Sequence, residues 1–378
     1  MKTKVSSAAE VADEPQKTKT IAGSGPAIEL GQDASNCPRA GQRPDEMKPS
    51  SLLIAAAAGT ASALLFAGVV LQSSSAVTLA LAAPIPIAIA SLGWGTVAGA
   101  IAAIASALVI VALSGSWAGA LLLIVAMTGP AAIAGHLLGL AQPLGDPAHD
   151  DPNMAANQNE AGPGQAPQPA PPKLLWYPLD RVLFAIALMA TLACLGLGWY
   201  FGYDVEALKP EIVAALSEGG TAAQVSEAEL DNVAGLLLNL VPLVQPAVLT
   251  LTLVVGLYLG AWIVRTSGRL PRPKDDLPTA AHLPPVALFV FVTALAVSFL
   301  PGTIALAATV VMGAFGMAFT LVGLARLHAR SRGRSNRGLL LFASYAGIVI
   351  LSFPILIFTI MGLADTWRQL RAPPTDSA

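Results

Sequence analysis

Residues 51–71 read SLLIAAAAGTASALLFAGVVL, a stretch without a charged side chain. The sequence around it continues the pattern, because no Asp, Glu, Lys or Arg occurs between Lys48 and Asp146. A water-soluble fold needs charge on its outer faces, whereas one helical crossing of a bilayer needs about 20 apolar residues. This part of the chain is therefore predicted to form transmembrane helices.

The rest of the chain has the same character. Charged residues make up 12% of the sequence and hydrophobic residues 54%, whereas charged residues are about 25% of an ordinary soluble domain. Further charge-free runs cover residues 182–203, 232–264, 277–325 and 338–364. The predicted fold class is all-α, a polytopic transmembrane helical bundle.

The hydrophobic segments predict about nine spans. The count falls to eight if Pro354 makes the last segment re-entrant, or if the segment containing Pro84 and Pro86 does not cross. Ser226 and Glu229 have the spacing of a capping box, which predicts that the helix of the sixth span begins there. The predicted spans are residues 51–71, 76–92, 94–113, 117–141, 182–202, 233–264, 285–300, 303–325 and 338–363.

Composition divides the chain further. The segments around and between the spans are rich in Pro, Gly and polar residues, which predicts flexible tails and linkers. The predicted organisation is a disordered cytoplasmic tail (1–49), an N-terminal membrane half with four spans (50–141), a Pro-rich cytoplasmic linker (142–179), a C-terminal membrane half (180–371) that contains an acidic extracytoplasmic loop (203–231), and a short tail (372–378).

Basic residues in short loops predict the orientation. Loops 265–274 and 326–337 contain nine Lys or Arg residues between them. Both loops and the N-terminus are therefore predicted to be cytoplasmic, in the inner membrane of a bacterium. Nine spans place the C-terminus outside, whereas Arg368 and Arg371 favour the cytoplasm, so the side of the C-terminus stays open.

Small residues four positions apart recur within the spans. Helices in lipid associate by close approach of their backbones, which such pairs permit. An Ala- and Gly-rich chain also produces these pairs by chance. The candidate packing pairs are Gly95/Gly99, Gly135/Gly139, Gly198/Gly202, Gly256/Gly260, and on the first span Ala55/Gly59 and Ala63/Ala67.

The sixth span contains the candidate ligand-binding residues. Asn239 and Gln245 are amides in a hydrophobic segment that Pro242 and Pro246 interrupt. Proline-broken helices and their amides line substrate sites in transporters, although amides also form hydrogen bonds between helices. Trp199 and Tyr200 are candidate stacking residues, with anchoring at the membrane interface as the alternative.

Several classes of chemistry lack their motifs. The sequence contains no GxxxxGK[ST], HExxH or GxSxG pattern, which argues against a P-loop ATPase, a zinc protease and a serine hydrolase. The predicted spans contain no Asp, Glu, Lys or Arg, which argues against a proton pump. No catalytic residue, cofactor, metal or nucleic-acid partner is expected.

Four segments together resemble the YybS-like family of predicted bacterial membrane proteins, over about residues 50–371. They are PIPIAIASLGWG (84–95), LGAWIVRTSGRLPRPKDDL (259–277), GLARLHARSRGR (323–334) and MGLADTWRQLR (361–371). The N-terminal spans are also distantly similar to the substrate-binding subunits of energy-coupling-factor vitamin transporters. That similarity implies a membrane partner docked on the small-residue face of the first helix, which Ala55/Gly59 and Ala63/Ala67 would provide. The chain departs from those subunits in its larger number of spans, its long linker and its few polar groups.

Two functions follow as hypotheses. The first is a substrate-binding or permease-type transport component for a small, largely apolar molecule. A separate membrane protein would supply its energy. The second is a membrane scaffold or assembly factor that acts through its tail and cytoplasmic loops, with or without homo-oligomerisation.

Overall fold

The computed structural model describes residues 49–70, 77–143, 174–217, 226–351 and 353–371. All of these belong to one unit, Met47–Ala378. Four predicted regions therefore lie wholly or largely outside the described residues. They are the N-terminal tail, most of the linker, part of the acidic loop and the C-terminal tail.

Fourteen helices and one short two-stranded ladder make up the described part of the chain. The helices are α1 (Pro49–Val70), α2 (Val77–Ala80), α3 (Pro84–Trp94), α4 (Thr96–Ser114), α5 (Trp117–Leu123), α6 (Gly129–Gly139), α7 (Leu179–Phe201), α8 (Val205–Leu216), α9 (Glu227–Thr266), α10 (Leu277–Ala280), α11 (Pro285–Val297), α12 (Thr303–Arg330), α13 (Arg337–Leu351) and α14 (Pro354–Arg371). A π-helical turn, Ile124–Thr128, joins α5 to α6, and strands β1 (Ala141–Pro143) and β2 (Leu174–Trp176) pair antiparallel. The predicted all-α class is confirmed.

Within the described residues, six helices are long and apolar enough to cross a membrane: α1, α4, continuous α5–α6, α7, α9 and α12. Each coincides with a predicted span. The remaining three predicted spans correspond to shorter helices. The second is divided between α2 and α3, the seventh is the 13-residue α11, and the ninth is divided between α13 and α14.

Local sequence explains several of the helix ends. Gly95 has a φ of 94° and separates α3 from α4, a backbone conformation that only glycine adopts without strain. Ser226 accepts a hydrogen bond from the Glu229 N–H, and the Glu229 carboxylate accepts one from the Ser226 N–H. The predicted capping box at the start of α9 is confirmed.

Small residues lie at the closest helix crossings in the core. Gly59 of α1 packs against the Ala102 carbonyl of α4, so closely that a Cβ there would overlap it. Ala55 and Ala63 on the same face are fully buried. The small-residue face of the first helix is thus covered by α4, and is not the open docking surface that the transporter similarity implies.

The last three helices contain a repeat that the sequence analysis missed. FTLVGLAR (319–326) in α12 and FTIMGLAD (358–365) in α14 are separated by 39 residues. Thr320 and Thr359 are hydrogen-bonded at 2.7 Å, and Arg326 Nε lies 2.9 Å from Asp365 Oδ1. Equivalent positions therefore face each other, so the two helices run parallel and in register.

Glycine makes this contact possible. A Cβ at Gly323 would overlap the carbonyl oxygen of Phe358, and one at Gly362 would overlap that of Phe319. With the same offset of 39 residues, Pro354 at the start of α14 lies beside Phe315, near the middle of α12. Helix α13 runs back from the end of α12 to that level, so α13 and α14 form a hairpin that begins and ends at the same end of the bundle.

Candidate functional site: a groove beside α9

Two prolines shape the wall of the site. Pro242 has no N–H, so the carbonyl of Leu238 lacks the donor it would have in a regular helix. The Tyr203 hydroxyl donates to this carbonyl at 2.6 Å, which links the end of α7 to α9. Burial raises the pKa of the Tyr203 phenol, so the hydroxyl stays protonated as a donor. On another face, Gly313 of α12 packs against the backbone at Leu243.

A groove of about 660 Å³ lies between α9 and the ends of α1, α2 and α5. Its α9 wall is mostly aliphatic, and its other wall comes from α1, α2 with the turn after it, α5 and the π-helical turn. The lining residues are Leu237, Leu240, Val241, Val244, Gln245, Val248, Leu249 and Thr252 on α9, and Phe66, Val69, Ala80, Leu81, Leu122, Ala126 and Met127 opposite. None of them carries a charge.

Gln245 brings an amide into this apolar surface. It is exposed on α9, and within the described ranges no protein group forms a hydrogen bond with its side chain. An amide in an apolar environment costs free energy when it has no hydrogen-bond partner. The groove therefore contains a polar group whose bonding capacity the surrounding protein leaves unused.

The structure does not bring the four predicted ligand-binding residues together. Asn239 donates to the Gly235 carbonyl of its own helix at 2.8 Å and does not line the groove. Trp199 is 86% exposed, and Tyr200 packs edge-on against Phe201. Both lie at the end of α7, away from the groove, so only Gln245 among the four is part of it.

The π-helical turn forms part of the opposite wall. It supplies Ala126 and Met127 to the groove and buries Thr128, whose hydroxyl accepts a hydrogen bond from Ser106 of α4 at 3.4 Å. π-helical turns inside α-helices are frequent at functional sites. The sequence analysis gave no signal for this turn, because π-helices have no strong residue preference.

The candidate packing glycines fall into two groups. Gly99 and Gly135 both pack against Ser91 of α3, where an added Cβ would lie within 3 Å of its side chain. Gly256 and Gly260 of α9 pack against α3, with Pro84 and Ala88 within about 3.1 Å. The others have open space or only a distant neighbour within their own loop, and they lie at helix ends: Gly95, Gly139, Gly198 and Gly202.

The opposite end of the bundle, here called the arginine end, is where α3, α6, α9, α12 and α14 finish. Arg272 is 5% exposed, and its guanidinium donates to the carbonyls of Leu138 and Tyr177 and to Asp275. It thus joins the end of α6, the start of α7 and the segment after α9. The sequence analysis counted Arg272 only as a basic loop residue.

A second polar cluster at the arginine end surrounds Asp365. Its carboxylate lies 2.9 Å from Arg326 and 3.5 Å from His282, and it accepts a hydrogen bond from Gln369. His282 is partly buried against these groups. The cluster connects the segment before α11 with α12 and α14, and Arg326 Nε is held by the ion pair with Asp365 without a hydrogen-bond partner among the described residues.

An exposed ion pair connects two loops nearby. Arg332 donates to both carboxylate oxygens of Asp276, one of them at 2.7 Å, and Thr279 adds a further bond. These hydrogen bonds lower the pKa of Asp276 to about 2.

The arginine end therefore contains several paired charges, while the groove contains an amide without a partner among the described residues. Within the described residues, no group of three His, Cys, Asp or Glu side chains could hold a metal ion. Comparisons of the chain with protein-family profiles, with curated proteins and with solved structures give no match.

Proposed function

We propose that this chain is a multi-pass inner-membrane protein that binds a small, uncharged, largely apolar molecule in the groove beside α9. It would act as a substrate-binding or permease-type component of a transport system. The observation that carries the proposal is Gln245, an amide without a hydrogen-bond partner among the described residues, in a largely apolar groove on long apolar helices. We also propose, from the resemblance of the four segments, that the chain is a YybS-like protein.

The topology proposed for the chain has eight crossings and one re-entrant hairpin. The crossings are α1, α2 with α3, α4, α5 with α6, α7, α9, α11 and α12, and the hairpin is α13 with α14. The arginine end would face the cytoplasm, since basic loops are retained there. Both termini then lie on the cytoplasmic side, which accommodates Arg368 and Arg371 at the end of α14.

A reporter fusion tests this topology. A fluorescent protein fused after Arg371 is expected to fluoresce, and alkaline phosphatase at the same position is expected to be inactive, because only the first matures in the cytoplasm. The reverse result would favour nine crossings. Fusions in the loop after Phe201 serve as the control and should give the opposite pattern.

Energy for transport would come from another protein. The sequence has no P-loop, and the described ionisable side chains lie at the bundle ends instead of along the groove. A coupled ion pathway usually keeps ionisable residues within the membrane. Since α4 covers the small-residue face of α1, an energy-coupling partner would have to use a different surface.

Purification in mild detergent tests the proposal. Mass spectrometry would score co-purifying small molecules and proteins for the wild type, for Val248→Trp, which fills the groove, and for Leu236→Trp, an exposed α9 position outside it. A molecule retained by the wild type and Leu236→Trp but lost from Val248→Trp supports the binding function. No small molecule in any sample, with a stoichiometric soluble partner, would overturn it in favour of a scaffold.

A further inference from the structure

The shape of the groove narrows the class of its ligand. The α9 residues that line it extend from Leu237 to Thr252, which lie fifteen positions apart on one helix. At 1.5 Å per residue this is about 22 Å. One leaflet of a bilayer has a hydrocarbon thickness of about 15 Å. A compact molecule would fill part of such a groove, whereas an elongated chain would follow its whole length.

Charge complementarity narrows the class further. No lining residue is charged. The nearest arginine along α9 is Arg265 in its last turn, about 20 Å along the helix from Thr252 at the end of the groove. A phosphate or carboxylate placed beside Gln245 would have no cation to pair with, and burying an unpaired charge is expensive. The occupant is therefore neutral where it touches Gln245.

The amide specifies a polar group on that neutral chain. Gln245 offers both a donor and an acceptor, and it lies roughly midway between Leu237 and Thr252. Asn239, about one and a half turns earlier, donates to the Gly235 carbonyl of the same helix. The backbone of α9 can therefore supply a hydrogen-bond partner to a side-chain amide. The unbonded state of Gln245 indicates a partner that the described residues do not supply.

We infer that the groove binds a linear neutral lipid, a long hydrocarbon chain with one hydroxyl or carbonyl group that pairs with Gln245. The chain lies along α9 between Leu237 and Thr252 and packs against Phe66, Leu122 and Met127. It enters sideways from the bilayer, through the open side on which Val244 and Val248 are about half exposed. This inference rests on the proposed binding function and adds the class of ligand.

The test uses the full-length protein in nanodiscs of saturated phosphatidylcholine and a long-chain primary alcohol with a diazirine in its chain. After illumination, mass spectrometry locates the label. We expect it on α9 between residues 237 and 252 and on the 122–127 segment. A diazirine-labelled phosphatidylcholine is the second probe and reports ordinary lipid contact.

Three variants separate the possible outcomes. Gln245→Leu should reduce alcohol labelling roughly fivefold while the groove stays open, the loss expected for one hydrogen bond. Val244→Trp should abolish it, and Leu236→Trp should leave it unchanged. No effect of Gln245→Leu would overturn the ligand class and leave groove binding intact. Equal labelling by phosphatidylcholine would show ordinary lipid contact in the groove and would overturn both. No groove labelling by either probe would overturn both.

Discussion

The arginine end and the groove differ in how the protein treats its polar groups. At the arginine end, Arg272, Arg326 and Asp365 each have protein partners within hydrogen-bond or ion-pair distance. In the groove, Gln245 has none among the described residues. Paired groups fix helix ends in position, whereas an unpaired amide stabilises nothing until a ligand arrives. We therefore assign a structural role to the arginine end and a binding role to the groove.

The largest effect is expected where two backbones touch. Gly323→Ala places a methyl group against the Phe358 carbonyl, so α14 must move away from α12. Overpacking typically costs about 1–3 kcal/mol and occasionally more, and because the contact here is with a backbone atom we expect a loss of more than about 3 kcal/mol. Thermal unfolding in detergent should show the loss. Gly196→Ala, with open space around it, is the matched control, and equal stability of the two variants would contradict the close contact.

Arg272 should come next. Arg272→Ala leaves the carbonyls of Leu138 and Tyr177 without a donor and Asp275 without its cation. A loss of about 2–3 kcal/mol is expected, since each hydrogen bond to a charged group contributes about 1.5–3 kcal/mol and part is replaced by water. Lys274→Ala, an exposed basic residue in the same loop, should be nearly neutral in thermal unfolding. Equal effects would mean that Arg272 acts only through charge.

The Arg326–Asp365 pair separates a specific contact from general charge. Arg326→Asp and Asp365→Arg each place like charges together and should destabilise the protein by about 2 kcal/mol. The double exchange should restore most of that loss, with a coupling energy of about 1–2 kcal/mol in a double-mutant cycle. Additive effects would show that α12 and α14 do not meet at this position.

A smaller effect is expected from Asp276 and its pKa of about 2. This pKa lies below the ordinary aspartate value of 3.8, so the pair adds stability above about pH 4 that disappears as the pH falls through about 2. Asp276→Asn lacks this contribution. The difference in melting temperature between wild type and Asp276→Asn should therefore shrink between pH 4 and pH 2. A constant difference would contradict the assignment.

The smallest effect is expected from removing the linker. Pro143 and Leu174 face each other across the β1–β2 ladder, so Asn-Gly can close the gap in place of residues 144–173. The melting temperature should not change, because the ladder and Arg272 hold the flanking ends. Under the transport proposal, ligand retention is also unchanged. If cells with the linker deletion showed the same defect as cells that lack the protein, while the purified variant retained its ligand, the scaffold alternative would be supported.

The sequence predicted the helices better than it predicted their contacts. Charge-free runs identify α1, α4, α7 and α12 because lipid exposure imposes composition over the whole length of a helix. Pro354 signalled a break in the last span, and the structure divides that segment into α13 and α14 there. The register of α12 and α14 was also readable, since FTLVGLAR and FTIMGLAD repeat almost residue for residue.

The candidate site was only partly predictable. Gln245 was identified because an amide between prolines is unusual in a span, and Asn239 was grouped with it on the same ground. Asn239 bonds to a backbone carbonyl of its own helix and Gln245 does not. The positions of the two residues in the sequence do not predict this difference in hydrogen bonding. Trp199 and Tyr200 were expected near them, but the end of α7 meets α9 through Tyr203 instead. The opposite wall comes from α1, α2 and α5, whose approach to α9 no local pattern encodes.

We propose that the groove binds an elongated neutral molecule. Electron cryomicroscopy of the full-length protein, in nanodiscs prepared from native membrane lipids, would show such a molecule. The account predicts a continuous, elongated density along α9 from Leu237 to Thr252, with one feature within hydrogen-bond distance of the Gln245 amide. A groove closed by the protein's own side chains, with Gln245 bonded to one of them, would contradict it.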